Sequence, residues 1–191
     1  MKIFLMDIDK NMCSEWNERF SAYENVEVVN CEFTKFIQQH PEVDTIGSAA
    51  NSFGLMDGGL DLYYIKQYGK DLQKAVQKVI IKEYYGEQPI GSSFILAIPN
   101  SSGIKLIHTP TMRVPMKITD IRVIYTSTRS ALVEAIKAGS KVTMLPAYGH
   151  LTGGISADLV ATMMLMAYKS VMDRLDDDTE NTWDKCSRWI F

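Results

Sequence analysis

The chain of 191 residues lacks a basic excess, with 20 Lys and Arg against 23 Asp and Glu and a formal net charge of −3. A protein that draws its affinity from nucleic-acid phosphates usually carries surplus positive charge, so no nucleic-acid partner is expected. Cysteine is scarce: Cys13, Cys31 and Cys186 are an odd number without CxxC spacing, which excludes an even disulfide framework and a cysteine metal site. The three histidines, His40, His108 and His150, share no ligand spacing either, so neither a metal nor another cofactor is expected. The longest apolar runs, such as Phe94 to Pro99 and Val160 to Ala167, fall far short of the roughly 20 residues that cross a bilayer. Nothing near Met1 reads as a signal peptide. A cytoplasmic protein without a membrane partner is the expectation. The serine-hydrolase elbow and the Gly-Lys-Ser/Thr ending of a nucleotide-hydrolysing phosphate loop are both missing, which removes support for those chemistries.

What is present is apolar residues, 46% of the chain, enough for one domain with a sizeable core. Met1 to Asp9 reads as a strand, followed by a helix capped at Ser14. Val26 to Val29, Val43 to Ile46, Phe94 to Ile98, Ile104 to Ile107 and Lys141 to Leu145 read as further strands. Leu72, Ala75, Val76, Val79 and Ile80 recur at helical spacing, as do Ile121, Ile124, Tyr125, Leu132, Ala135 and Ile136. A long helix opened by Ser156 carries Val160, Met163, Met164, Ala167 and Val171. Alternating strands and helices predict a layered α/β fold, with a single domain over residues 1–175. The remaining tail, residues 176–191, holds Trp183, Trp189, Ile190 and Phe191. So apolar a segment is expected to dock onto the body, or to close over a ligand.

Ligands of open α/β sheets bind beyond the carboxyl ends of the strands, and three strand-leaving segments stand out. The segment after Ile46, Gly47 to Asp61, gathers small residues, the amide of Asn51 and two carboxylates. Its Gly58-Gly59 pair permits close backbone approach to a ligand, although a surface turn uses the same residues. The segment after Leu145, Pro146 to Ser156, sets Gly149, Gly153 and Gly154 before a helix amino terminus, a setting that favours an anion such as phosphate. In the third, His108 to Pro115, His108 reads as a core histidine. Arg113 reads either as a phosphate contact or as a solvated side chain in a proline-bracketed loop.

Three of these stretches together resemble the macro domain family, a module that binds ADP-ribose and its derivatives. They are Ala50 to Asp61 (ANSFGLMDGGLD), Gly86 to Gly91 (GEQPIG) and His108 to Pro115 (HTPTMRVP), in that order. The resemblance is to a phage and bacterial branch with an extra amino-terminal strand and helix. It implies a three-layer α/β/α fold with a central mixed sheet. It also implies that Asn51 contacts the distal ribose and that Asp61 stands where members that remove ADP-ribose carry an aspartate. Cys31-Glu32-Phe33-Thr34 matches the turn whose acid selects adenine, which gives Glu32 that role and places Phe33 beside it. Ala50, Gly58, Gly59, Gly149, His150, Thr152, Gly153 and Gly154 complete the implied ligand contacts. An ungapped match sets His150 and Leu151 where the family has threonine and glycine, whereas a two-residue insertion would bring Thr152-Gly153-Gly154 into register. In the ungapped register the Leu151 side chain stands where backbone should hug a diphosphate. The function implied is binding of ADP-ribose or a derivative, with hydrolysis of an ADP-ribose ester or of ADP-ribose-1''-phosphate as an activity open to it. A non-catalytic reader and a degenerate macro fold used in protein assembly are the alternatives. Asp61 also has a plain reading, as the cap of a helix beginning near Leu62.

Overall fold

Residues 2–7 alternate their side chains between two apolar environments, Ile3 and Leu5 on one side and Phe4 and Met6 on the other. A strand buried on both faces belongs inside a sheet covered by helices on both sides. The computed structural model, which describes residues 1–173 together with Trp183, has that arrangement. Its elements are β1 (Lys2–Asp7), α1 (Lys10–Phe20), β2 (Val26–Asn30), α2 (Phe33–Gln39), β3 (Thr45–Asn51), α3 (Gly59–Tyr68), α4 (Asp71–Tyr84), β4 (Phe94–Ala97), β5 (Lys105–Met112), α5 (Arg122–Lys137), β6 (Val142–Leu145) and α6 (Ala157–Met172).

The six strands form one mixed sheet in the order β2-β1-β6-β3-β5-β4. All neighbours are parallel except β4, which runs antiparallel to β5. Trp16 of α1, Leu132 of α5 and Val160 and Met164 of α6 cover one face. Phe33 and Phe36 of α2, Tyr64 of α3 and Leu72, Val76 and Ile80 of α4 cover the other. The fold is therefore a three-layer α/β/α sandwich, as expected.

Several local expectations need correction. Helix α1 begins at Lys10, capped by Asp9, whose side chain accepts the Asn11 N–H at 2.8 Å; Ser14 lies inside the helix. Strand β3 does not stop at Ile46 but runs to Asn51, because Gly47 to Ala50 pair with Ile107 to Pro110. Likewise, His108 to Met112 are strand rather than loop. Pro110 has no N–H to give the ladder, and the register slips there so that Asn51 pairs with Met112 and Thr111 is skipped. Helix α3 starts at Gly59, so Asp61 is in its first turn instead of capping it. No described helix is long and apolar enough to cross a membrane. The expected docking of the 176–191 tail lies outside the described residues, Trp183 apart.

Candidate ligand-binding site

The carboxyl ends of β2, β1, β6, β3 and β5 open side by side onto a cavity of about 330 Å³. The parallel arrangement explains this, since every connection leaving those strands emerges on one edge of the sheet. Glu32 and Phe33, at the start of α2, form one end of the cavity, and Ala49, Thr111 and Met112 form the other. Between them stand Asp7 at the end of β1 and Ile8 just after it, Gly59, Leu60 and Tyr63 of α3, and Pro146, Ala147 and Gly149 to Gly153 of the β6–α6 loop.

The β6–α6 loop is shaped by its glycines. Gly149 has φ of 79°, and a Cβ there would come within 2.3 Å of Ile124 Cδ1, so no other residue fits both the backbone and the space. A Cβ on Gly153 would lie 2.4 Å from the Gly149 carbonyl oxygen. The turn is held by Gly154 N–H donating to the His150 carbonyl at 2.7 Å, Ile155 N–H to the Gly149 carbonyl at 3.2 Å, and Ile118 N–H to the Gly153 carbonyl at 2.9 Å. The N–H groups of Leu151, Thr152 and Gly153 find no protein acceptor among the described residues. The first turn of α3 adds the N–H groups of Gly59 and Leu60, likewise unpaired as the first donors of a helix must be. Two sets of donors thus border one cavity, a setting suited to an anion.

His150 adds charge to the same wall. Its Nδ1 lies 2.9 Å from the Ile155 carbonyl oxygen and its Nε2 lies 2.8 Å from Asp9 Oδ2. Both partners are acceptors, so both ring nitrogens must donate, and only the imidazolium does that. Burial opposes the charge, but the Asp9 and Ile155 hydrogen bonds and the nearby Asp7 and Asp9 carboxylates outweigh it and raise the His150 pKa.

Seven residues expected at the site meet at this cavity: Glu32, Phe33, Gly59, Gly149, His150, Thr152 and Gly153. Ala50, Asn51, Gly58, Asp61 and Gly154 are not among its lining residues. Asn51 organises its own turn, donating from Nδ2 to the Leu55 carbonyl at 2.7 Å and accepting the Phe53 and Leu55 N–H groups at Oδ1. Asp61 is buried beneath β3, where it accepts the Ser48 hydroxyl at 2.5 Å. Burial pushes its pKa up to about 7, with Asp57 adding to the shift and the Ser48 hydrogen bond opposing it. Gly58 is the N-cap of α3, one residue outside the lining.

Leu151 turns out to stand at the rim, 59% exposed, so its side chain leaves the loop's amides accessible instead of filling the turn. Asp7, Ile8, Leu60, Tyr63, Thr111 and Met112 line the cavity without having been singled out from the sequence. The signal for Asp7 and Ile8 was available, because they end the first apolar strand. Thr111 reaches the cavity only through the slip at Pro110, which no sequence pattern announces.

The other two motif stretches join each other. Gln88 Oε1 lies 2.7 Å from His108 Nδ1, and Gln88 Nε2 donates to the His108 carbonyl at 3.3 Å. Arg113 pairs with both carboxylate oxygens of Glu87 at 2.7 and 3.0 Å and lies over the Phe53 ring. They clasp the β5 end of the sheet, and Arg113 is absent from the cavity lining. Among the described residues, no group of three or more His, Cys, Asp or Glu side chains could hold a metal ion.

Unpaired amides of a glycine-shaped loop thus border a cavity at the carboxyl edge of a mixed α/β/α sandwich. The family model of the macro domain matches residues 48–164, and this chain belongs to that family. An uncharacterized protein of Aquifex aeolicus (strain VF5) is 27% identical over 154 residues, covering 75% of this chain and 89% of that protein. The macrodomain of Mycobacterium tuberculosis DarG is similar in structure with a TM-score of 0.58 at 18% identity, over 68% of this chain and 84% of that one. A variant Oceanobacillus iheyensis macrodomain with ADPR gives 0.60 at 21% identity, over 68% and 71%. Thermosipho africanus DarTG in complex with ADP-ribose gives 0.58 at 18% identity, over 87% of this chain and 50% of that one.

Proposed function

We propose that this protein binds ADP-ribose or a close derivative in the cavity at the carboxyl edge of its sheet, without turning it over. The observation that carries the reading is the convergence of unpaired N–H groups from Leu151, Thr152, Gly153, Gly59 and Leu60 on one cavity, with the His150 imidazolium alongside. A diphosphate is the anion that two such donor sets can hold together. Glu32, at the other end, accepts a hydrogen bond from the adenine amino group. Solved relatives carrying ADPR or ADP-ribose support the choice of ligand. Residues 1–47 lie outside the family match, yet β1 sits between β2 and β6 in the same sheet, which supports residues 1–175 as one functional unit. Cys13 and Cys31 as free thiols suit a cytoplasmic setting.

Hydrolysis through Asp61 would require its carboxylate within hydrogen-bond reach of the reacting centre. The Asp61 carboxyl is buried against Ser48 and does not border the cavity, which favours a reader. The exposed apolar pair at the rim, Ile8 and Leu151, both 59% exposed, is what would favour the assembly reading.

Isothermal titration of wild type and Glu32→Ala with ADP-ribose, ADP and AMP tests the binding reading. Saturable binding is expected for ADP-ribose and ADP, weaker for AMP, with a loss of about fivefold or more for all three in the variant. No saturable ADP-ribose binding by folded wild type overturns the reading and, with a dimer or larger species in light scattering, leaves assembly. Release of ADP-ribose from modified protein by wild type but not by Asp61→Asn would replace the reader with a hydrolase.

A further inference from the structure

From the order of groups along the cavity, we propose that Asp7 accepts a hydrogen bond from a hydroxyl of the base-proximal ribose and so selects ribonucleotides over their deoxy forms. The inference rests on the ADP-ribose reading above and adds a specificity residue from a part of the chain outside the family match.

Strand order dictates the sequence of groups that a ligand meets. Across the carboxyl edge the strands run β2, β1, β6, β3. The ends of β2 and β1 are adjacent in register, with Asp7 opposite Asn30. Glu32, just beyond β2, is therefore followed by Asp7 at the end of β1, then by the amides of the β6–α6 loop and of α3. A nucleotide whose base lies at Glu32 and whose diphosphate lies at those amides has only its ribose to set beside Asp7. Carboxylates suit that group, because one oxygen can accept from either hydroxyl of a ribose, the role an acid plays in many dinucleotide sites.

Asp7 is also built for the task. Only 9% of the residue is exposed, and Oδ1 accepts the Asp9 N–H at 2.8 Å, which holds the group in place. Its main-chain carbonyl takes the Asn30 amide at 2.9 Å, so the strand end cannot drift. A carboxylate offers roughly four acceptor positions, and the neighbouring Asp9 and Ile8 amides account for two at most. Burial of Asp7 raises its pKa, opposed by the Asp9 amide and the positive His150. A ligand hydroxyl supplies a donor that the protein does not.

The test compares ADP-ribose with its 2′-deoxy and 3′-deoxy forms, modified in the adenosine ribose, by isothermal titration against wild type, Asp7→Asn and Asp7→Ala, each checked for folding by circular dichroism. Wild type is expected to bind at least one deoxy form about tenfold more weakly than ADP-ribose. Asp7→Ala is expected to bind ADP-ribose and that deoxy form equally, because the acceptor is gone. If Asp7→Ala fails to fold, Asp7→Asn supplies the comparison, with the discrimination cut to about threefold or less by loss of the charge. Equal binding of all three ligands by wild type overturns the proposal and leaves the ADP-ribose reading standing. The same result follows if discrimination persists unchanged in whichever variant folds. Absence of any binding by wild type removes both.

Discussion

His108 and His150 show how one residue type serves two opposite purposes in this molecule. His108 sits on β5, fully buried, with Nδ1 against Gln88 and Nε2 without a partner among the described residues. Burial pushes its pKa down to about 3, so it is neutral and part of the interior. His150 is less deeply placed and lies between a carbonyl and a carboxylate, which hold it charged at the cavity wall. The β4–β5 edge is thus a clasp that secures the sheet, while the β1 and β6 ends are a charged, hydrogen-bonding mouth. What separates them is the acceptor set around the ring.

Substitutions that touch one region and spare the other should break this contrast cleanly. The largest effect is expected from Gly149→Val at the mouth. A β-branched side chain at φ of 79°, within 2.3 Å of Ile124 Cδ1, should cost about 3 kcal/mol in urea unfolding and abolish ligand binding. Gln88→Leu comes next, leaving buried His108 with no partner on either nitrogen. It should lower stability by about 2 kcal/mol while the Kd for ADP-ribose stays within twofold of wild type. A matching drop in affinity would show that the clasp and the mouth are one unit.

The pH dependence sharpens the contrast. His108 has a folded pKa below its ordinary 6.5, so its contribution to stability is present above 6.5 and is lost as pH falls towards 3. His150 has its folded pKa raised, so its contribution is present below 6.5 and is lost as pH rises through the folded value. Urea melts should therefore show wild type gaining on His108→Gln from about pH 4 to 6.5 and then levelling. They should show wild type losing ground to Asp9→Asn above that point. The smallest effect is that of Asp9→Asn itself at neutral pH. The variant keeps a capping oxygen for α1 but removes the counter-charge of a partly exposed pair, for less than about 1 kcal/mol. The His150 pKa should fall, as read from imidazole proton shifts, and ADP-ribose should bind about threefold more weakly as the cation is lost.

Much of the fold was legible in the residues. The stripes of α4, α5 and α6 and the apolar strands β1, β2 and β6 lie within a few residues of where periodicity places them, because local spacing alone decides which side of an element is greasy. The ends of β3 and β5 were not legible. Gly47 to Asn51 and His108 to Met112 carry the small and turn-forming residues of loops, and become strand only because each pairs with the other across the sheet.

The site divides along the same line. Sequence by itself marked the glycine-rich loop after β6 and the Gly58-Gly59 turn, since positive φ and close approach are demands on single residues, while Glu32 was pointed to only by the resemblance to the macro domain family. Tertiary structure decided the rest. It buried Asp61 against Ser48, turned Asn51 to its own loop, and brought Asp9 to His150 across 141 positions of chain. It also set Asp7 in the cavity beside Glu32. Which carboxylate meets a ligand and which is hidden depends on strand order and on the layer each helix covers, and those are settled only when the whole sheet packs.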